Sequence, residues 1–279
     1  MSTLRQKMLQ YMQQKNYSTK TINSYITSIS VFSHYFNLSP EKISMQQIND
    51  YLHYCITQKH LSASTINIII SSIRVLHVYV LHRKWNPIDF PRPKREKRLP
   101  VVLSAEEVAL IINKTTNTKH KTVLMLAYSC GLRLCEVQHL TPQDIDSKRM
   151  QINIRKGKGN KDRTIMLSEI LLLQLRRYWT IYRPKTYLIE GMTPGKAISE
   201  RTLQYVMKHG LRKAAINKDA CFHSLRHSFA THLIEQGMEI VILQRLLGHS
   251  KLATTSGYLH LQHYNVNKVQ SPIEHLALD

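Results

Sequence analysis

The sequence predicts a mainly α-helical protein in two parts, with one small antiparallel β-sheet in the second part. Three observations carry that fold class. All nine glycines of the 279 residues lie at position 131 or later, and residues 1–86 hold a single proline, Pro40, so the first part has almost no chain punctuation. Apolar residues there recur at three- and four-residue steps, the period of one buried helical face. Further on, two alternating segments flank Lys156-Gly-Lys-Gly-Asn-Lys161, the pattern of a half-buried hairpin.

Residues 3–15 read as a first helix. From Thr19, the series Ile22, Tyr25, Ile26, Ile29, Phe32, Tyr35 and Phe36 gives a second, Ser44 to Gln58 a third, and Ile66, Ile69, Ile70, Ile73, Leu76 and Val80 a fourth. Residues 1–88 therefore form a helical domain, and its nine Lys plus Arg against two Asp plus Glu suit a grip on DNA. In residues 89–103 prolines exclude helix and five of the seven residues from Arg92 to Arg98 are basic, so the segment reads as a linker. It is either a solvated spacer or a strap along phosphates. The second domain, residues 104–268, opens at Ser104-Ala-Glu-Glu107, a capping box ahead of Val108, Leu110, Ile111 and Ile112. Strands follow at Met150–Arg155 and Arg163–Leu167, then helices at Ser168–Tyr182, Ser199–Ala215, Leu225–Gln236 and Glu239–Leu247. In the tail, residues 269–279, Ser271-Pro272 before apolar residues predicts a short capped helix, too short to stand without docking.

Charge narrows the partner. Lys plus Arg number 39 against 18 Asp plus Glu, a net charge of +21 and a pI near 9.9, which calls for a polyanion. Nucleic acid leads; an anionic membrane surface is the rival. Uninterrupted apolar stretches such as Val123–Tyr128 fall far short of the roughly 20 residues of a spanning helix, so no membrane partner is expected. The opening MSTLRQKMLQYMQQ lacks the apolar core of a signal peptide, which points to the cytoplasm. Cys55, Cys130, Cys135 and Cys221 show no paired short spacing and read as buried free thiols.

The second half carries a dispersed set of cations and one phenol: Arg133, Lys158, His223, Arg226, His249 and Tyr258. Gly131-Leu132-Arg133 alone is a weak signal. His223-Ser-Leu-Arg226-His227, then Gly248-His249-Ser250, then Tyr258 nine residues on is a specific ordered constellation. With it the chain resembles the tyrosine recombinase (phage integrase and Xer) family along nearly its whole length. The resemblance implies an N-terminal SAM-like four-helix core-binding domain plus a catalytic domain of the DNA breaking-rejoining enzyme fold, together forming a C-shaped clamp on a double-stranded crossover site.

The resemblance also implies roles. Arg133 and Arg226 would clamp the phosphate, since a planar guanidinium holds two phosphate oxygens and keeps its charge. Lys158 would protonate the departing 5′ oxygen, His223 would help move the nucleophile's proton, His249 would donate to a non-bridging oxygen, and Tyr258 would attack. No cofactor and no metal is implied. A homotetramer in the synapse, a monomer in solution, a partner recombinase or accessory protein, a nucleoid-associated bacterial location and a tail docking on the neighbouring subunit complete the expectation. Gly257 just before the nucleophile predicts a segment that orders only in the assembled complex. Alternatives stay open: an ion pair of Arg133 with Glu136, a zinc site at His223, His227 and His232, a type IB topoisomerase, or a DNA-binding accessory protein without turnover.

Overall fold

The computed structural model describes residues 3–94, 100–155, 162–248 and Thr255. Lys158, His249, Tyr258, Gly257 and the 269–279 tail lie outside the described residues. The chain divides into two compact units, Met1–Arg98 and Leu99–Asp279.

The first unit is built from α1 (Thr3–Gln14), α2 (Thr19–Phe36), α3 (Met45–Thr57) and α4 (Ala63–Val75), the last continued by a π turn at Leu76–Val80. The starts are set by side-chain caps: Ser18 accepts from the Thr21 N–H, Ser62 from the Thr65 N–H, and Ser44 forms a reciprocal box with Gln47. Asn37, left-handed at φ 50°, ends α2. Met8, Met12, Ile29, Phe32, Ile48, Ile66, Ile70 and Ile73 fill the core. Ala63–Val80 is long and apolar enough to cross a membrane, with mean hydropathy 1.4, yet half of it is buried and its Ile66, Ile70 and Ile73 belong to this core. Asn67, Ser71, Ser72 and Arg74 interrupt the window, so it holds no long uninterrupted apolar stretch.

The basic Pro-rich segment is anchored at both ends. Phe90 is buried in the first unit and stacks on Trp85 at 4.2 Å. Arg92 donates to the Asn67 carbonyl (3.2 Å) and to Ser71 Oγ (3.1 Å), and Asn67 Nδ2 donates to the Pro93 carbonyl. At the other end Leu103 is buried in the second unit, where its N–H donates to Ser228 Oγ (2.9 Å). Asp89, Pro91, Arg92 and Lys94 remain exposed around the buried Phe90.

The second unit comprises α5 (Ala105–Lys114), α6 (Thr118–Ser129), α7 (Leu134–His139), β1 (Ile145–Asp146), β2 (Gln151–Ile154), β3 (Arg163–Met166), α8 (Glu169–Tyr182), α9 (Glu200–Lys213), α10 (Phe222–Glu235) and α11 (Ile240–Leu247). The Ser104–Glu107 box opens α5 as read from sequence. The sheet is antiparallel in the order β1-β2-β3, with Ile152 opposite Ile165 and Ile154 opposite Arg163. Sequence periodicity missed α6, α7 and β1. In α6, Thr122, Val123, Leu124, Leu126 and Ala127 are all buried, so the helix has no polar face to set a period; α7 has six residues and β1 two, too few for a pattern.

α10 starts at Phe222, three residues ahead of the expected Leu225, because Phe222 is buried and Ser224 Oγ accepts from the Cys221 N–H. Its burial is not confined to one face. Ser224, Leu225, Arg226, Ser228, Phe229 and Thr231 are all buried, so Arg226 lies inside the protein. All four cysteines are free; Cys55 and Cys130 are buried, but Cys135 and Cys221 are exposed, against the expectation for those two.

Candidate active site

The turn between α6 and α7 is fixed by Gly131. Its φ of +54° is left-handed, and a Cβ there would lie 2.4 Å from Phe229 Cδ1 of α10. Only glycine permits both the turn and this approach. The turn delivers Arg133 to the first position before α7, where Glu136 Oε2 accepts the Arg133 backbone N–H (2.8 Å) and Oε1 accepts from its Nη1 (2.9 Å). The same turn presents the Gly131 carbonyl to Arg226, which donates to it through Nη1 at 2.6 Å across 95 residues of sequence.

Arg226 is 1 % exposed, and its Nη2 donates to the Leu247 carbonyl at 2.6 Å. α11 ends there, with Gly248 left-handed at φ 62° as its cap. Its final carbonyls carry the negative end of the helix dipole, so a guanidinium is a favourable partner. Arg133 Nη2 approaches the next carbonyl, of Gly248, at 3.4 Å.

Glu136 stands between the arginines. Besides Arg133, it takes a two-pronged pair from Arg163, Nη1 to Oε1 and Nη2 to Oε2, both at 2.8 Å, and Arg226 Nη1 lies 3.9 Å from Oε2. Burial would raise its carboxyl, but hydrogen bonds and charge from Arg163, then from Arg133, more than offset this and hold it at about 2. Three guanidinium groups around one carboxylate leave a surplus of positive charge, suited to a phosphodiester.

His223 occupies the first turn of α10, its ring edge-on to His227 at 4.7 Å. Its pKa is lowered to about 4, first by partial withdrawal from water and then by the positive charges of His227, Arg226 and Arg133. The residue as a whole still faces solvent, so it is a neutral imidazole within reach of a ligand. His232 points elsewhere, its Nδ1 bonded to the Tyr128 hydroxyl at 2.9 Å, and does not join His223 and His227.

Residues 101–264 match the profile described as the phage integrase family, and residues 4–87 that of the phage integrase N-terminal SAM-like domain. The chain belongs to the phage integrase family. It is 38% identical to a Sinorhizobium fredii protein whose name places it among the integrase/recombinases, covering 98% of this chain and 89% of that one. To the tyrosine recombinase XerD of Staphylococcus epidermidis it is 32% identical, covering 96% and 97%. The fold matches a lambda integrase dimer bound to a COC′ core site with TM-score 0.75 at 18% identity, over 96% of this chain and 98% of that one. The mainly helical fold with its small antiparallel sheet, the SAM-like N-terminal domain and the tyrosine-recombinase catalytic domain are thereby established, and the protein is a tyrosine-type site-specific recombinase.

Of the six residues singled out in this recombinase, Arg133, His223 and Arg226 are described and come together; Lys158, His249 and Tyr258 lie outside the described residues. The ion pair of Arg133 with Glu136, raised as an alternative to a phosphate role, is present within the cluster. Sequence reasoning overlooked Arg163. The signal was available: Arg163 and buried Ile165 share one face of β3, and an arginine on an inward face needs a buried partner.

Proposed function

We propose that Arg133, Lys158, His223, Arg226, His249 and Tyr258 form the catalytic set with which this recombinase cuts and rejoins double-stranded DNA at crossover sites. The observation that carries the reading is the meeting of Arg133 and Arg226, from distant parts of the sequence, around Glu136 and the end of α11. Arg133 and Arg226 hold the non-bridging oxygens of the scissile phosphate, with His249 donating a further hydrogen bond. The Tyr258 hydroxyl attacks phosphorus, and its proton passes to the neutral imidazole of His223. As the Tyr258 Oη–P bond forms, the P–O5′ bond breaks and the Lys158 ammonium supplies the proton that the 5′ oxygen takes up.

The products are a 3′-phosphotyrosine and a 5′ hydroxyl. Attack by a 5′ hydroxyl from a partner duplex reverses the chemistry, and because one ester replaces another, no ATP is consumed. Two protomers occupy each crossover site and four the synapse, assembled from a monomer, in the cytoplasm beside nucleoid DNA. The segment from Arg92 to Arg98 contributes basic contacts to the DNA backbone.

A nicked suicide duplex, which loses the leaving strand after cutting, tests the reading. The wild-type protein should become covalently attached to the 3′ side, and Tyr258→Phe should remove the attachment completely. Attachment that survives Tyr258→Phe would overturn the assignment. Products that require two paired sites separate recombination from the single-site relaxation of a topoisomerase.

A further inference from the structure

Arg163 has no role in the chemistry above, yet it completes the hydrogen bonding of Glu136. An ionised carboxylate offers about four lone-pair sites. Here Oε1 accepts from Arg133 Nη1 at 2.9 Å and Arg163 Nη1 at 2.8 Å, while Oε2 accepts from the Arg133 backbone N–H and from Arg163 Nη2, both at 2.8 Å. Those four bonds fill the carboxylate. Arg226 Nη1 stands 3.9 Å from Oε2, outside hydrogen-bond distance, and donates to the Gly131 carbonyl at 2.6 Å.

The same guanidinium also holds the end of α11. Arg163 Nε donates to the Leu246 carbonyl at 2.8 Å, and the next two carbonyls receive the clamp arginines, Leu247 from Arg226 Nη2 at 2.6 Å and Gly248 from Arg133 Nη2 at 3.4 Å. A Cβ on Gly248 would stand 3.0 Å from Arg163 Cδ and 3.4 Å from its Nε, so the glycine both ends α11 and makes room for this side chain. The Arg163 and Glu136 side chains are only 8% and 4% exposed, so water cannot replace a lost bond cheaply.

We infer that Arg163 is a positioning residue for the arginine clamp: by occupying Glu136 and bracing the end of α11, it keeps Arg133 and Arg226 from closing on the carboxylate and leaves their charge to the scissile phosphate. Without it, each Glu136 oxygen keeps an unmatched lone pair in a buried site. The guanidinium groups at hand to fill them are those of Arg226 and Arg133. A clamp drawn onto an internal carboxylate is both displaced and neutralised, and a displacement of about 1 Å is worth on the order of 100-fold in rate.

The inference rests on the assignment of Arg133 and Arg226 as phosphate ligands, and the test separates the two. In the full-length protein, the rate constant for covalent attachment to the suicide duplex is compared among wild type, Arg163→Gln, and Arg163→Gln combined with Glu136→Gln. The single variant should be slower by about 100-fold. The double variant has no carboxylate to capture the clamp, and should recover at least about 10-fold of that loss. Were Arg163 only a brace, removing its partner as well would leave the rate as slow or slower. Loss of folded protein lowers the amount attached and not the rate constant. If Arg163→Gln yields no folded protein, Arg163→Lys, which keeps the charge and cannot make the three bonds together, is read in the same way, alone and with Glu136→Gln. A single variant within about 3-fold of wild type, or a double variant no faster than the single, overturns the inference. Arg133→Ala and Arg226→Ala should each be slower than wild type by 100-fold or more, on the scale of a lost transition-state donor. If they are and the double variant shows no recovery, only the positioning role falls; if they keep the wild-type rate constant, the clamp assignment fails and this inference with it.

Discussion

Gly131 shows how one missing side chain organises the catalytic unit. Its left-handed turn and its contact with Phe229 bring the α6–α7 junction against α10, where its carbonyl receives Arg226 and the next residue but one is Arg133. Gly131→Ala adds a Cβ at 2.4 Å from an aromatic carbon on a backbone that disfavours it. It should destabilise the second unit by about 1–3 kcal/mol or more and leave the first unit unchanged. Denaturant unfolding followed at Trp179, with Trp85 reporting the first unit, would show this; unaltered unfolding at Trp179 would contradict the packing account. The Gly-Leu-Arg triplet was legible in sequence, but the reason for its glycine was not, since Phe229 lies 98 positions away and nothing local names it. Glu136 was legible only as a neighbour of Arg133 three residues on. Its central place among three arginines depends on where β3 and α10 come to rest.

Among the elements, those with one wet and one buried face were the readable ones: α2, α3, α4, α5, α8 and α9 begin at a Ser or Thr-bounded cap and follow the helical period. α6, enclosed by the rest of the unit, loses that contrast and was missed, whereas the mostly buried α10 was read but from Leu225, three residues late. The π turn after α4 is a further case. It buries His77 at 1 % exposure, with neither ring nitrogen hydrogen-bonded and Trp85 edge-on at 6.0 Å. Burial, reinforced by the charge of Arg83, lowers its pKa from 6.5 to about 4. The folded pKa lies below the unfolded one, so as pH falls the unfolded chain takes the proton first. Stability is therefore fully present above about 6.5 and is lost as pH drops toward 4, at up to about 1.4 kcal/mol per pH unit. Unfolding of the first unit at Trp85 across pH 4–7.5 should show that slope, and His77→Leu should flatten it. A slope that persists in His77→Leu would assign the effect elsewhere.

For the whole molecule the governing quantity is charge. A surplus of 21 positive charges on 279 residues cannot fold against itself to advantage; it is matched by a polyanion. If the recombinase neutralises about 6–10 phosphates, its affinity for a crossover site should fall by roughly 10³–10⁵ between 50 and 200 mM salt. Titration of a labelled duplex at four salt concentrations checks this, and affinity nearly independent of salt would remove the electrostatic argument for DNA. By itself the sequence determined the polyanionic partner, the helical first unit, the hairpin and, through an ordered set of cations and a phenol, the family; composition, period and motif order are local or additive properties that survive without coordinates. Only the tertiary structure decided that Arg226 is buried, that Glu136 holds three arginines, and that Arg163 ties β3 to the end of α11. Apart from the Arg133–Glu136 pair, three residues apart, those are contacts between residues 20 or more positions apart, set by which faces pack and where glycine allows backbones to close, and no short window of sequence contains both partners.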